Sequence, residues 1–352
     1  LPLVGVGGMR LFRSESSDWS DKALPHTRDI AKTVGLIYTG LGVLCGFAFW
    51  REAMRPSAPD KHPMRTVQTG VPPPSDETKG MFGSPAILWV GSMFMIAGSL
   101  PFMVYFHMLR QGVRPLLLDE QVRAYAAGLV AVVALATLLL TRSSDRTTFD
   151  VLTQVAFNVV SVVSTTGYAS TDYTQWGSFF VALFFFLMFT GGCSGSTSGS
   201  IKVFRLQIGL KFLSLQVRRL VHPRGVFVVK LNGRRLDDDI VAGLVAFVFA
   251  VGATVIVVAL ALAALGLDLV TALSGAATAV TNVGPGLGPV IGPAGNFATL
   301  PDTAKWLLAA AMLLGYAGSF MYDDDAPLAE RRATALALDT SLLAQLLGRV
   351  DL

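Results

Sequence analysis

NVVSVVSTTGYASTDYTQWG occupies residues 158–177 and starts as a valine-rich apolar run, then turns within one step into Ser-Thr-Thr-Gly-Tyr. An apolar helix that stops on hydroxyls and a glycine needs a reason. In hydrocarbon, irregular backbone is tolerated only where its polar groups face protein or a water-filled path. Thr165, Thr166 and Gly167 then offer consecutive carbonyl oxygens, with Gly167 supplying backbone angles that other residues resist. The helix in front aims its negative C-terminal end at the same spot. Both effects favour a cation, and a desolvated K⁺ suits a row of carbonyls.

Composition sets the surroundings. Of 352 residues, 52% are hydrophobic and only 15% charged, a balance outside that of a soluble globular chain. The fold class expected is an all-α polytopic membrane protein. The formal charge of +4 sits in a few loops without interleaved aromatics, so no nucleic-acid partner is expected. Cys45 and Cys193 lie in apolar stretches and suggest no disulfide framework. The opening LPLVGVGGMRLFRSE has no basic region ahead of its apolar run, unlike a signal peptide, and reads as a start cut from something longer.

Apolar runs at 30–50, 85–109, 124–140, 178–192, 240–266 and 304–318 read as membrane spans. About 20 helical residues cross a hydrocarbon core of about 30 Å. Two shorter runs, 149–163 and 267–280, read as helices that enter and stop. The basic stretch 202–235 marks a cytoplasmic loop by the positive-inside rule, which puts 110–123 inside too. The basic stretch 51–79 falls outside and runs against that rule.

An internal repeat supports the re-entrant reading. FDVLTQVAFNVVSVVSTTGYAS and LDLVTALSGAATAVTNVGPGLG each carry an N-capping Asp, Asp150 or Asp268, then a short helix of small residues, then Gly167 or Gly284. Each is followed by an irregular loop and a span. The repeated unit is span, short re-entrant helix, extended Gly-containing strand, span, an arrangement that marks transport folds.

Four separated motifs in order carry a family resemblance: VVSTTGYASTDYTQW, GGCSGSTSGSIKVFRL, TNVGPGLG with NFATLPDTAKWLLAAAMLLG, and the early GVGGMRLFRSESSDWSDKALPHTRDIAK. Over residues 1–315 the chain resembles the potassium-translocating membrane subunit of bacterial Trk-type uptake systems, in the superfamily that includes Ktr and HKT transporters. The resemblance implies repeated span, pore-helix and span units around a pseudo-fourfold pore, each giving one strand to a K⁺ filter. It implies units at 1–123, 124–237 and 238–318, a divergent segment at 319–352, and one further unit upstream of Leu1.

Carried over by position, the filter residues are Thr165, Thr166 and Gly167, then Asn282, Val283 and Gly284, and, from the preceding unit, Thr69 and Gly70. Val71 stands where the family has a second Gly, and Pro72, Pro73 and Pro74 stiffen that loop. For Asn282 two roles stand open, orienting the strand by a side-chain hydrogen bond or binding the ion. After AMLLG the pattern departs from the family at Tyr316, so the Arg that projects under the filter there has no direct match; Arg349 is a loose counterpart.

GGCSGSTSGS interrupts a span with glycines and hydroxyls just before Lys202. The resemblance implies a gate at Gly191, Gly192, Cys193, Ser194, Gly195, Ser196, Thr197, Ser198 and Gly199 that obstructs the pore below the filter. A close helix contact through small residues is the alternative. Gly192-Cys193-Ser194-Gly195 also fits the GxSG pattern of intramembrane serine proteases, which need a base beside the serine; His107 alone sits at the edge of a span. No Walker, CxxC or HExxH signature appears, so no enzyme activity and no cofactor beyond the transported K⁺ is expected. Further expectations from the resemblance are multi-pass insertion in a bacterial cytoplasmic membrane, a homodimer, membrane lipids as neighbours, and a peripheral RCK-type nucleotide-binding regulatory subunit. Proton coupling, sodium coupling and passive flux stand open, as does a non-conducting structural role.

Overall fold

The computed structural model describes residues 27–53, 85–222, 228, 230–231, 234–235 and 238–321. Thr69, Gly70, the proline-rich loop, Arg349 and nearly all of 319–352 lie outside them.

Three groups of helices follow one another. The first holds α1 (Thr27–Ala53), α2 (Pro85–Gly98) and α3 (Phe102–Gln111). The run 85–109, expected as one span, is bent by 93° between α2 and α3. Pro101 has no N–H to continue the ladder and its φ of −64° starts a new helix. The freed backbone is taken up locally, with Ser99 Oγ donating to Met95 O at 2.8 Å and Tyr105 Oη reaching across the bend to Ala97 O at 2.7 Å.

A short helix, α4 (Arg114–Leu118), leads to the span α5 (Glu120–Arg142), whose first amides, Gln121 and Val122, donate to the Asp119 carboxylate at 2.9 and 3.0 Å. The re-entrant helix α6 (Thr148–Val163) follows. Its N-cap is Thr147, not Asp150 as the sequence suggests. Thr147 Oγ1 accepts the Asp150 amide at 3.2 Å while donating to the Asp150 carboxylate at 2.7 Å, a reciprocal capping pair that displaces the acid into the first turn.

After a 3₁₀ turn at Tyr173–Trp176, with the buried Tyr173 ring stacked on Phe184 at 3.9 Å, comes α7 (Ser178–Leu187). This helix is ten residues long, shorter than the span expected over 178–192, because the glycine-rich loop starts sooner. Beyond that loop α8 (Val203–Val221) begins within the stretch expected as a cytoplasmic loop. Lys202 and Arg205 are buried, and the Arg205 guanidinium lies 4.3 Å from the centroid of the Phe247 ring. Lys211 pairs with Glu120 at 2.6 Å. The outer part of α8 keeps Arg218 and Arg219 exposed.

A two-residue ladder, β1 (Lys230–Leu231) with β2 (Arg234–Arg235), and an isolated parallel bridge between Thr190 and Ile201 are the β pairings among the described residues. The last group is α9 (Asp238–Ala264), the second re-entrant helix α10 (Leu269–Thr281), a single turn α11 (Gly288–Ile291) and α12 (Asp302–Met321). Asp268 caps α10 by accepting the Thr271 amide at 3.1 Å.

Among the described residues two helices, Glu120–Arg142 and Val241–Ala264, have the length and apolar content to cross a membrane, and the bent pair makes a third candidate. One hydrophobic core joins α5, α6, α7, α9, α10 and α12. Both re-entrant helices are wrapped by neighbours. From Thr271 to Thr281 all residues but Leu273 are buried, and the small side chains Ala272, Ala276 and Ala279 let α9 and α12 approach. The outward faces of α9 and α12 expose Phe249, Leu260 and Leu313, as lipid contact requires.

Candidate ion pathway

The two re-entrant helices end alike. At the end of α6, the Thr165 amide donates to Val162 O at 3.0 Å and the Thr166 amide to Ser161 O at 2.9 Å, with Thr165 at φ +57°. At the end of α10, the Asn282 amide donates to Ala279 O at 3.2 Å and the Val283 amide to Thr278 O at 3.1 Å, with Asn282 at φ +56°. These are paired Schellman endings, in which a left-handed residue satisfies the last carbonyls of the helix and turns the chain. Two residues on, Gly167 at φ +80° and Gly284 at φ +117° turn it again. The repeat seen in sequence is therefore a repeat of backbone conformation.

The left-handed residue in each copy escaped the sequence reading. Glycine, or sometimes asparagine, signals that position, and Asn282 fits; a β-branched threonine does not.

The two strands touch. A Cβ on Gly167 would lie 2.3 Å from Val283 O and 3.1 Å from Pro285 Cδ, and one on Gly284 would lie 3.5 Å from Gly167 Cα. Among the described residues, the carbonyl oxygens of Thr165, Thr166, Gly167, Asn282, Val283 and Gly284 accept no hydrogen bond. The amides, by contrast, are tied down: Gly167 N donates to Ser161 O at 3.3 Å and Gly284 N to Thr278 Oγ1 at 2.9 Å. Donors face into the protein and acceptors are left over, which is what a cation path needs. The Asn282 side chain donates to Met312 O at 3.3 Å, so its amide group holds the strand to α12.

Residues 191–200 form a loop lodged between this pair of strands and the α2–α3 bend. On the bend side, Cys193 N donates to Ser99 O at 2.9 Å, Thr197 N and Oγ1 donate to Gly98 O at 3.2 and 3.0 Å, and Phe102 N donates to Gly195 O at 3.0 Å. Ser194 N donates to Oε1 of the fully buried Gln121 at 3.1 Å. On the strand side, Ser198 Oγ donates to Ser164 O at 2.9 Å and Gly199 N to Thr165 Oγ1 at 2.8 Å. Ser196 Oγ closes the loop on itself through Cys193 O at 2.7 Å.

The glycines here are needed for close approach. A Cβ on Gly192 would lie 2.6 Å from Ser198 Oγ and 2.9 Å from Ser99 O, and one on Gly191 would lie 2.3 Å from Gly199 O. A Cβ on Gly199 would lie 3.0 Å from Thr281 O, so the loop reaches both repeats. The hydroxyl-rich sequence makes a firmly bonded loop whose partners at Ser99 and Gln121 carry no sequence signal of their own. The bend itself had one, Pro101 after Gly98 and Ser99.

Residues 1–322 match the family model described as TrkH, cation transport protein. The chain is 52% identical over 319 residues to the Trk system potassium uptake protein TrkI of Halomonas elongata, and 33% identical over 321 residues to the Trk system potassium uptake protein TrkH of Vibrio parahaemolyticus. Each alignment covers 90% of this chain, which spans 64% and 66% of those two relatives. The crystal structure of the potassium transporter TrkH from Vibrio parahaemolyticus matches with a TM-score of 0.77 at 30% identity, covering 89% of this chain and 68% of that one.

Proposed function

The chain belongs to the TrkH family of cation transport proteins, and from that premise we propose that it takes part in K⁺ uptake across a bacterial cytoplasmic membrane. The observation that carries this reading is the pair of strands with six carbonyl oxygens that accept no hydrogen bond among the described residues, set at the C-terminal ends of two buried helices. Thr165–Gly167 and Asn282–Gly284 contribute two walls of a filter around a pseudo-fourfold axis. Thr69 and Gly70 contribute a third, and a unit homologous to these completes the ring. The loop 191–200 is the gate beneath it. The protease reading of Gly192-Cys193-Ser194-Gly195 falls with membership in a transport family.

The working assembly in this reading is a homodimer in lipid, with an RCK-type nucleotide-binding ring on the cytoplasmic side. Arg218 and Arg219, exposed on α8, are its docking charges together with Arg224, which lies outside the described residues. Such a partner moves the gate only if it binds the open and closed forms with different affinity.

Growth at limiting K⁺ of a bacterial strain lacking its own uptake systems tests the transport reading. The chain, alone and joined to the N-terminal length of a relative that lies outside the alignment, is expected to restore growth in at least the joined form. Failure of both, with normal membrane insertion, refutes it in favour of a structural role. Co-purification with the regulatory ring, lost on charge reversal at Arg218 and Arg219, tests the docking surface.

A further inference from the structure

Thr165 is the anomaly in the pair of repeats. Asn282 holds the same left-handed conformation, which asparagine adopts readily because its short amide bonds locally. A β-branched threonine at φ +57° is an outlier that persists only where its surroundings over-determine it. The surroundings are the loop: Gly199 N donates to Thr165 Oγ1 at 2.8 Å, and one residue away Ser198 Oγ donates to Ser164 O at 2.9 Å. Ser198 Oγ also lies 3.2 Å from Ser99 Oγ at the α2–α3 bend. Ser99, Ser164, Thr165 and Ser198 are buried and Gly199 is partly buried, so the two bonds of Ser198 are shielded from water.

We infer that Thr165 and Ser198 are positioning residues that couple the loop to the strand, so that release of the loop lets residues 165–167 relax out of the left-handed shape held here. The loop and one wall of the filter then move as a unit, while the wall at residues 282–284 keeps its shape because Asn282 is anchored to α12. This rests on the filter and gate assignments proposed above and adds a consequence to them: a change confined to the loop alters ion preference as well as flux.

The test is amide hydrogen exchange of the purified chain in detergent, comparing the unmodified protein, Ser198→Ala, Thr165→Asn and the double variant. Loss of the Ser198 bond is expected to speed exchange about five- to tenfold in residues 191–200 and, by a similar factor, in residues 165–167. Thr165→Asn, which supplies a residue at ease in the left-handed region, is expected to leave 165–167 protected even when Ser198→Ala is added. Faster exchange in the loop alone in the Ser198→Ala protein overturns the coupling, as does equal loss of protection at 165–167 with and without Asn at position 165. If Ser198→Ala does not fold, Ser198→Cys, whose thiol is only a weak donor, replaces it with the same expected pattern. Exchange is read whether or not the protein conducts; a parallel Na⁺/K⁺ flux ratio in vesicles tests the transport reading separately, and absence of K⁺ flux there counts against transport alone.

Discussion

The carbonyl oxygen of Val283 lies where the side chain of Gly167 would begin, 2.3 Å from the position of an ideal Cβ. The strand of one repeat is thus seated in the missing side chain of the other, and Gly167 is required twice, for its φ of +80° and for the space. Gly167→Ala is expected to cost about 1–2 kcal/mol from backbone conformation alone. The push on Val283 adds to that and moves a carbonyl of the opposite strand. The check is thermal unfolding in detergent alongside the Na⁺/K⁺ flux ratio, with both expected to change. Gly284→Ala is the contrast: its Cβ finds 3.5 Å of room, so it is expected to cost the conformational term with less disturbance across the pair.

Asn282 separates side-chain anchoring from backbone shape. Asn282→Gly keeps the left-handed turn and loses the bond to Met312 O, for an expected loss of about 0.5–1.5 kcal/mol. Asn282→Ala loses the bond and strains the turn, adding about 1–2 kcal/mol. Stability in denaturant is expected to rank Asn above Gly above Ala. Equal values for Gly and Ala would mean that the turn at φ +56° is not enforced by its neighbours.

The ends of the re-entrant helices were only half legible in the sequence. Asp268 announced a cap and is one; Asp150 announced the same and is the partner of Thr147 instead, because either residue type can cap and only the local turn decides. The positions of Gly167 and Gly284 were legible, since no other residue takes their angles so readily. The left-handed Thr165 was not, because its conformation is set by a loop 34 residues along the chain. The bend at Pro101 was masked by the apolar character of the whole run 85–109, which hydropathy reads as one span. Contacts between Ser99 and residues 193–198 join distant parts of the chain, and no local pattern encodes them.

A pH dependence follows from Asp268. Hydrogen bonding from Thr271 holds its carboxyl below the ordinary value. A carboxyl whose folded pKa is depressed contributes stability that is present above its unfolded value, near 4, and is lost as pH falls through the folded one. Unfolding temperature measured from about pH 6 down to pH 3 is expected to fall more steeply for the unmodified chain than for Asp268→Asn, which keeps a capping oxygen without the titration. The carboxyl is largely solvent-exposed, so the difference is expected to be small and to shrink in high salt. Parallel curves would remove Asp268 from the acid response.

Gly192 tests whether the loop obstructs or merely packs. Its Cβ would meet Ser198 Oγ at 2.6 Å and Ser99 O at 2.9 Å. The Ser198 hydroxyl can rotate away, but the Ser99 carbonyl is part of the bend and cannot. Gly192→Ala must therefore lift the loop off α2–α3, stretching the bond from Cys193 N to Ser99 O that holds it there. Overpacking of this kind costs about 1–3 kcal/mol. If the loop blocks the path, part of that cost appears as opening, and K⁺ leak from loaded vesicles rises several-fold with little loss of folded protein. If the loop only packs, the same substitution lowers stability and leaves flux unchanged or reduced. Shortening residues 191–200 separates the two outcomes further, since removing an obstruction raises leak even where stability falls.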